Sequence, residues 1–140
     1  MEGLFRSTDG NKTYPVNSGI PDFIYPKEEL LPPSDLQSLE WYKNNAEVYD
    51  EFLPLTFETF KCSEEIEREH LVDMLEIRGD EVILEFGCGS GRDSERIAKR
   101  MNENGKLFLQ DISYDILKFG IQKFKKLNFK PEIFSSTGIH

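Results

Sequence analysis

A glycine-rich segment lies between an apolar run and a charged stretch of the chain, and its residues are well suited to bind a small molecule. Glycine is favoured where the backbone turns sharply with a positive φ and where a ligand lies directly against the main chain. The start of a following helix would add free N–H donors and partial positive charge. We therefore predict a binding loop made of Glu85, Phe86, Gly87, Cys88, Gly89, Ser90 and Gly91.

Asp111 is the second part of the predicted site. It ends the next apolar run, 20 residues after Gly91. Because the carboxyl ends of neighbouring parallel strands meet at one edge of a sheet, its carboxylate is expected beside the loop. A carboxylate can accept two hydrogen bonds from the hydroxyls of a ribose, and hydrogen bonds to a charged group are strong. Together the loop and Asp111 favour a ligand that contains a ribose.

Three interpretations of the loop stay open on these residues alone. A dinucleotide site has the pattern G-x-G-x-x-G, whose third glycine would fall at position 92, where this chain has Arg92. The carboxylate of Glu85 would also repel the pyrophosphate of a dinucleotide. The second interpretation is a site for a positively charged ligand, such as one with a sulfonium and an ammonium, which this carboxylate would attract. The third interpretation is a glycine turn that serves the fold and binds nothing.

The elements that position this loop alternate between strand and helix. Such an alternation predicts an α/β fold with a parallel sheet and right-handed crossovers. The apolar runs and helix caps predict strands over 81–86, 106–110 and 132–135, and helices over 92–101 and 113–127.

Two further helices are predicted before the loop. Ser34 and Gln37 form a capping box at the start of the first helix, and Pro54 is expected to end it. Ser63 is the predicted N-cap of the second helix, which Gly79 is expected to end. These helices belong to the main domain, which we place at residues 34–140.

Residues 1–33 are predicted to form a small β appendage and a linker. An Asp-Gly pair at positions 9 and 10 separates two short runs, as in a hairpin. Pro15 and Pro21 cannot donate to a strand ladder, so the strands of this small sheet must be edge-like. The linker is predicted over 26–33.

The run from Val82 to Gly91, followed by Asp111, closely resembles motif I and the second-strand acid of the class I S-adenosylmethionine-dependent methyltransferases. The resemblance covers roughly residues 45–135. It implies a Rossmann-like fold, S-adenosyl-L-methionine as the cofactor, and methyl transfer to an acceptor that the sequence does not identify.

The resemblance also implies roles for single residues. Glu85 would organise the loop and the methionine end of the cofactor, and the loop residues from Gly87 to Gly91 would let the cofactor approach. Asp111 would hold the ribose hydroxyls, and Ile112 would pack against the adenine. No obligatory catalytic side chain is expected, because methyl transfer from a sulfonium depends chiefly on in-line positioning and desolvation.

Aromatic residues of the first helix have two readings. In the family, an N-terminal helix with a Tyr-Asp pair often folds over the cofactor, so Tyr49, which precedes Asp50, is a candidate lid residue. Trp41 and Tyr42 are interpreted as side chains that pack the helix onto the sheet.

Both ends of the chain depart from the family pattern. Residues 4–23, which include the sequence YPVNSGIP, resemble the second half of a zinc-ribbon-like domain related to the Trm112-like partner proteins. They lack the cysteine pairs of that domain. No metal site is therefore predicted. The family sheet has seven strands, and this chain stops after the third, so the resemblance implies the N-terminal part of a methyltransferase domain.

Composition limits the partners and the compartment. The 17 basic and 26 acidic residues give a net charge of −9, which disfavours a nucleic-acid partner and leaves a small-molecule acceptor favoured. Two distant cysteines, Cys62 and Cys88, suit neither a zinc site nor a disulfide framework and fit a reducing cytoplasm. Neither thiol, nor His70, is predicted to be catalytic, and no apolar run is long enough to span a membrane.

Two functions are therefore expected as alternatives. One is S-adenosylmethionine-dependent methyl transfer, and the other is a non-catalytic module that binds the cofactor or a partner. In either case the strand over 82–86 would lie at the edge of the sheet, where an apolar strand is a template for self-association or a partner.

Overall fold

The computed structural model describes residues 3–25 and 27–137, so Pro26, the first residue of the predicted linker, lies outside the described part. A short 3-10 turn at Glu28–Leu30 precedes the first helix. The other elements, in chain order, are β1 (Gly3–Arg6), β2 (Thr13–Asn17), β3 (Ile20–Pro21), α1 (Pro33–Thr59), α2 (Glu64–Asp73), β4 (Val82–Phe86), α3 (Arg92–Arg100), β5 (Lys106–Asp111), α4 (Tyr114–Phe124) and β6 (Glu132–Ser135).

The parallel α/β sheet is confirmed. Its strand order is β4-β5-β6, and both pairs of neighbours are parallel. Ile83 lies opposite Leu107, and Asp111 lies opposite Ser135. The helices α3 and α4 are the two crossovers, so the carboxyl ends of all three strands meet at one edge.

Apolar residues of the central strand and of the crossover helices form the core on one face of the sheet. Leu107 and Leu109 alternate along β5 and are buried together with residues of α3 and α4. Period-two burial on the strand and helical spacing on the crossovers bring these side chains together. The buried members on the helices are Ile97, Ala98, Leu117 and Phe124.

The strand β4 lies at an edge of the sheet, as predicted. Its alternate side chains Val82, Leu84 and Phe86 are 70%, 52% and 55% exposed. Ile83 and Glu85, which point to the other face, are half-buried. The strand therefore presents an apolar row, and its outer backbone edge is unpaired within residues 3–25 and 27–137.

The N-terminal strands form a separate antiparallel sheet in the order β1-β2-β3. The residues just after β3 then join this sheet to β6. Asp22 forms a parallel bridge with Ser135, and the backbone N–H of Phe23 donates to the carbonyl of Ser135 at 2.8 Å. The ring of Phe23 packs edge-on against Phe5 and Tyr14, with centroid distances of 5.4 and 4.9 Å.

The predicted start and end of α1 are wrong. The N-cap is Pro32, and Pro33 occupies the first turn, where its fixed φ suits a helix and its missing N–H costs nothing. The Ser34 hydroxyl contacts Asp35 and caps no backbone N–H, so the capping box does not form. The helix also continues through Pro54 to Thr59.

The second helix is shorter than predicted. Ser63 is confirmed as its N-cap, because the side-chain oxygen accepts from the N–H of Ile66 at 3.4 Å. The helix ends at Asp73, and Glu76, with φ of 50°, already lies in the left-handed region before Gly79 is reached. None of the helices within residues 3–25 and 27–137 combines the length and the apolar character that a membrane span requires.

Candidate functional site

The loop between β4 and α3 has the backbone that its glycines predict. Gly87, Gly89 and Gly91 have φ values of 70°, 54° and 77°. A side chain at Gly91 would also meet the ring of Phe124 at 2.7 Å, so both conformation and space require glycine there. Beside Gly87 there is open space within 4 Å, which leaves its backbone accessible to a ligand.

Residues at the end of β5 hold the loop through its backbone N–H groups. One Asp111 oxygen, Oδ2, accepts from the N–H of Gly89 at 2.8 Å, and Oδ1 accepts from the N–H of Ser113 at 2.9 Å. The Gln110 side chain accepts from the N–H of Gly87 at 3.1 Å. Asp111 is only 8% exposed, so its carboxylate is part of the loop scaffold as well as a candidate ligand contact.

Glu85 is a half-buried carboxyl at the carboxyl end of β4. The Ser94 hydroxyl donates to its Oε2 at 2.6 Å. Burial raises the pKa of Glu85 to about 7, and the neighbouring charge of Asp93 adds to the rise against the opposing Ser94 hydrogen bond. At neutral pH the carboxyl is therefore balanced between its neutral and charged forms.

The cysteines and the histidine considered above lie apart from any arrangement for nucleophilic catalysis. Cys88 is buried within the loop, and this burial raises the pKa of its thiol far above the ordinary value. Because the thiolate is the reactive form, this burial disfavours nucleophilic chemistry at Cys88. Cys62 is half-buried at the end of α1, and His70 is exposed on α2.

A small cavity of about 120 Å³ lies between the loop and the helices α1 and α2. It brings the candidate lid residue Tyr49 to the same space as Glu85 and the loop. Leu53, Arg68 and Asp93 also line it. Asp111 and Ile112 are not among its lining residues, so the structure joins only the methionine-end candidates in one cavity.

The aromatic residues of α1 form a cluster of their own. Trp41, Tyr42 and Tyr49 meet edge-on, with centroid distances between 5.1 and 6.0 Å. Trp41 is 47% exposed, so the prediction that it packs the helix onto the sheet is wrong; α1 lies chiefly against α4 instead. Burial, followed by the charges of Tyr49 and Asp111, raises the pKa of Tyr42.

Charged side chains that the sequence analysis did not select surround the cavity. Arg92 donates to both oxygens of Glu64 at 2.9 Å and to Oδ1 of Asp50 at 3.0 Å. Arg68 pairs with Glu64 at 2.7 Å and with Asp93 at 2.5 Å. Arg68 and Glu64 are four residues apart on α2, a spacing that a sequence can reveal. The other pairs gave no sequence signal, because each joins residues of different helices that only the folded chain brings together.

Metal chemistry finds no support at this site. Within the described ranges, no three side chains of the kinds that bind metals come close enough to hold an ion.

Comparison with known families matches part of the chain. Residues 77–135, which run from just before β4 to the end of β6, match the family model of a methyltransferase domain. The resemblance to the methyltransferases is confirmed. The matched segment, residues 77–135, contains the whole glycine loop and Asp111, and its parallel order β4-β5-β6 is that of a Rossmann-like fold. No curated relative matches the chain.

Similar solved structures are also methyltransferases. A TehB-like S-adenosylmethionine-dependent methyltransferase from Corynebacterium glutamicum is 18% identical, with a TM-score of 0.45 over 69% of this chain and 46% of that one. A second, from Aquifex aeolicus, is 19% identical, with a TM-score of 0.42 over 57% and 44%. An arsenic(III) S-adenosylmethionine methyltransferase from Chlamydomonas reinhardtii is 30% identical, with a TM-score of 0.36 over 44% and 23%. The chain spans less than half the length of each of these structures.

Proposed function

We propose that the chain binds S-adenosyl-L-methionine at the glycine loop and takes part in methyl transfer from it. The observation that carries this proposal is the match of residues 77–135 to a methyltransferase domain, over the segment that contains the loop and the strand-end carboxylate Asp111. When bound, the cofactor would supply an electrophilic methyl group on a sulfonium. The residues of this chain would bind and orient that group.

The side chains around the small cavity suit the zwitterionic methionine end of the cofactor. Glu85 and Asp93 offer carboxylates to an ammonium, and Arg68 offers a guanidinium to a carboxylate. One oxygen of Asp93, Oδ1, is buried and has no hydrogen-bond partner among the described residues, so it can accept one from a ligand. Both signs of charge are thus present in one space, as an amino-acid ligand requires.

The other end of the cofactor would lie along β5. Each Asp111 oxygen accepts one backbone N–H, and a carboxylate oxygen can accept a second hydrogen bond, so both remain able to accept from ribose hydroxyls. Ile112, half-buried at the next position, would contact the adenine. The loop residues Gly87, Cys88, Gly89, Ser90 and Gly91 would lie beneath the cofactor between these two ends.

The acceptor and the compartment are proposed from composition. The net charge of −9 favours a small-molecule acceptor over a nucleic acid, because a negative surface repels phosphates. The two free cysteines, Cys62 and Cys88, fit a cytoplasmic setting. The acceptor itself would bind beside the transferred methyl group, next to the candidate lid residue Tyr49.

Calorimetric titration with S-adenosylhomocysteine tests this function. The unsubstituted chain should bind it, and Asp111→Asn should weaken binding about tenfold or more, since it removes charge-assisted hydrogen bonds worth roughly 1.5–3 kcal/mol. Asp80→Asn, the same change at an exposed position before β4, should alter the dissociation constant less than twofold. Absence of binding by the unsubstituted chain would overturn the proposal.

A further inference from the structure

Gln110 is a buried polar residue on the face of the parallel sheet that lies opposite the core. It is the next-to-last residue of β5 and only 3% exposed. In the register of the sheet it lies between Phe86 of β4 and Phe134 of β6, so these two aromatic side chains share its face. A buried amide needs hydrogen-bond partners, and the partners of Gln110 therefore show what it does.

Both polar groups of the Gln110 amide are used, one on each neighbouring strand. Oε1 accepts from the N–H of Gly87 at 3.1 Å, and Nε2 donates to the carbonyl of Ser136 at 2.6 Å. A backbone N–H can only donate and a carbonyl can only accept, so these partners allow one orientation of the amide. The side chain therefore connects the first glycine after β4 with the first residue after β6.

Gly87 is the residue of the loop that most needs such a connection. Its φ of 70° lies in a region that glycine enters easily and leaves as easily. Packing does not restrict it, because no atom beyond its chain neighbours lies within 4 Å of the position of a Cβ. The carbonyl of Gln110 also accepts from the N–H of Cys88 at 2.9 Å. One residue thus fixes the first two residues of the loop.

The segment over 135–137 is held on its outer side by the residues after β3. The carbonyl of Ser135 accepts from the N–H of Phe23 at 2.8 Å. The hydroxyl of Thr137 donates to the carbonyl of Tyr25 at 2.6 Å. The N-terminal appendage therefore contacts this segment on both sides of Ser136.

Ser136 itself faces the opposite way. Its N–H donates to the carbonyl of Asp111 at 3.1 Å, and its carbonyl accepts from the Gln110 amide. The segment therefore contacts the appendage through Ser135 and Thr137, and the end of β5 through Ser136. A continuous set of hydrogen bonds joins the appendage to the start of the glycine loop, and Gln110 is its last side chain.

We propose that Gln110 is a positioning residue for the cofactor: its amide fixes Gly87 and joins the glycine loop to the segment over 135–137 that the appendage holds. The inference rests on the proposed function, because the affinity concerned is that of the loop for the cofactor. Gln110 acts through Gly87. A loop that is fixed before binding loses less conformational freedom when the cofactor binds, so the affinity is higher.

Calorimetric titration with S-adenosylhomocysteine tests the positioning role. Gln110→Met nearly keeps the size of the side chain and removes both hydrogen bonds. It should weaken binding about fivefold to tenfold, within the range expected for one net hydrogen bond. Gln37→Met, the same change at an exposed position of α1, is the matched control and should leave the dissociation constant within about twofold. Equal dissociation constants for these two variants would overturn the proposal.

Gln110→Glu tests the hydrogen bonds by a pH profile. A protonated carboxyl has one donor and one acceptor, like the amide, whereas an ionised carboxylate only accepts. Burial favours the protonated form, so the variant should bind like the unsubstituted chain at about pH 5 and at least about fivefold more weakly at pH 8. Comparison with the unsubstituted chain at each pH removes the contribution of Glu85, which titrates in the same range.

Gln110→Met cannot titrate, so its affinity relative to the unsubstituted chain should be the same at both pH values. A relative affinity of Gln110→Glu that does not fall with pH would show that the hydrogen bonds of Gln110 do not position the loop. Gln110→Glu also keeps the test valid if Gln110→Met does not fold, because its protonated form has the hydrogen-bonding pattern of the native residue.

Thr137→Val tests the connection to the appendage through a double-mutant cycle. It removes the hydrogen bond to Tyr25 and leaves the Gln110 amide in place. Alone, it should weaken binding of S-adenosylhomocysteine about threefold, and in the Gln110→Met background it should have almost no further effect. Equal factors in the two backgrounds would mean that Gln110 does not connect the appendage with the loop.

Hydrogen exchange without ligand separates positioning from stability. Gln110→Met should speed exchange of the Gly87 amide more than that of the Leu109 amide within β5, whereas a merely structural Gln110 would speed both alike. Calorimetry separates this inference from the proposed function. No binding by the unsubstituted chain overturns the function and, with it, the positioning role, whereas binding that Gln110→Met leaves unchanged overturns the positioning role alone.

Discussion

The β6 edge of the parallel sheet is covered by the chain itself, whereas the β4 edge lies open. At β6, the segment after β3 supplies the bridge from Asp22 to Ser135, the hydrogen bond from Phe23, and contacts between Tyr25 and Thr137. At β4, nothing within the described residues pairs with the outer side of the strand, and Val82, Leu84 and Phe86 are largely exposed.

The difference shows what an N-terminal appendage contributes to this fold. Backbone groups at a sheet edge need a partner or water, and apolar side chains at an open edge favour contact with another chain. The appendage meets this need at β6 through a few backbone and aromatic contacts. We therefore expect self-association or a partner at β4, the edge that carries Glu85 and leads into the glycine loop.

The largest expected effect is on self-association at the open edge. Leu84→Lys places a charge in the exposed apolar row of β4, and lysine blunts edge pairing. It should raise the dissociation constant of a homodimer about a hundredfold, which corresponds to about 2.8 kcal/mol. Sedimentation velocity over a range of concentrations measures this change.

Leu4→Lys is the control for this substitution, since Leu4 is equally apolar and 72% exposed but lies on β1. Equal association of the two variants would place the contact elsewhere. If the unsubstituted chain stays monomeric at every concentration, the expected self-association at β4 is contradicted.

A smaller effect is expected at the covered edge. Phe23 packs against Phe5, Tyr14 and Phe134, so Phe23→Ala should lower the free energy of unfolding by about 2 kcal/mol. Urea denaturation measures this loss. Phe60→Ala is the control, because Phe60 lies after α1 and is 75% exposed. It should change the free energy of unfolding by less than about 0.5 kcal/mol, as most surface substitutions do. Equal stabilities of the two variants would mean that the appendage does not stabilise the sheet.

Glu85 makes the stability of the open-edge strand depend on pH. Its native pKa of about 7 lies above its ordinary value of 4.5, so the native protein keeps a proton that the unfolded chain has released. The free energy of unfolding therefore falls as pH rises from about 4.5 to 7. With allowance for partial exposure, Glu85→Gln should be more stable than the unsubstituted chain by about 1.5 kcal/mol at pH 8 and nearly equal at pH 4.5.

Thermal or urea denaturation across this pH range checks the prediction for Glu85. Glu132→Gln, at an exposed position on the covered-edge strand β6, is the matched variant. A difference between Glu85→Gln and the unsubstituted chain that does not grow with pH would contradict the raised pKa.

The smallest effect is expected from one hydrogen bond at the covered edge. The buried Thr137 hydroxyl donates to the carbonyl of Tyr25 at 2.6 Å. Thr137→Val keeps the shape and removes the donor, so it should cost about 1 kcal/mol of unfolding free energy. Hydrogen exchange should show faster opening of the Phe23 amide in this variant, and unchanged protection would mean that this bond does not hold the appendage in place.

The sequence predicted the second half of the chain more accurately than the first. The third strand of the parallel sheet begins at Glu132 as predicted, the strand at 82–86 begins one residue later than predicted, and α3 begins at Arg92 as predicted. These elements have strong local signals, because glycines and caps mark their ends and buried runs mark their strands. The end of the first helix was not predicted correctly. Proline usually ends a helix, but α1 continues through Pro54, and Arg92 donates to the carbonyl of Asp50 that Pro54 cannot pair with.

The sequence predicted the glycine loop of the candidate site but not the charged side chains around it. Glycines between a strand and a helix can be recognised in the sequence, because the local backbone there needs the positive φ values that glycine adopts most easily. The charged residues Asp50, Glu64, Arg68 and Lys123 gave no such signal. Isolated charges on helices are usually solvated, and only the fold shows that these four belong to one set of ion pairs that includes Arg92.

The sequence by itself determined the parallel sheet and the glycine loop with Glu85 and Asp111, since each follows from residue type and spacing over a few neighbouring elements. Only the tertiary structure decided that α1 runs through Pro54, that Asp50 ties it to the loop, and that the residues after β3 cover β6. These features depend on contacts between residues 40 to 113 positions apart, such as Asp50 with Ser90 and Asp22 with Ser135. Local propensity carries no information about such contacts, because their energies arise only when the packed elements bring the side chains together.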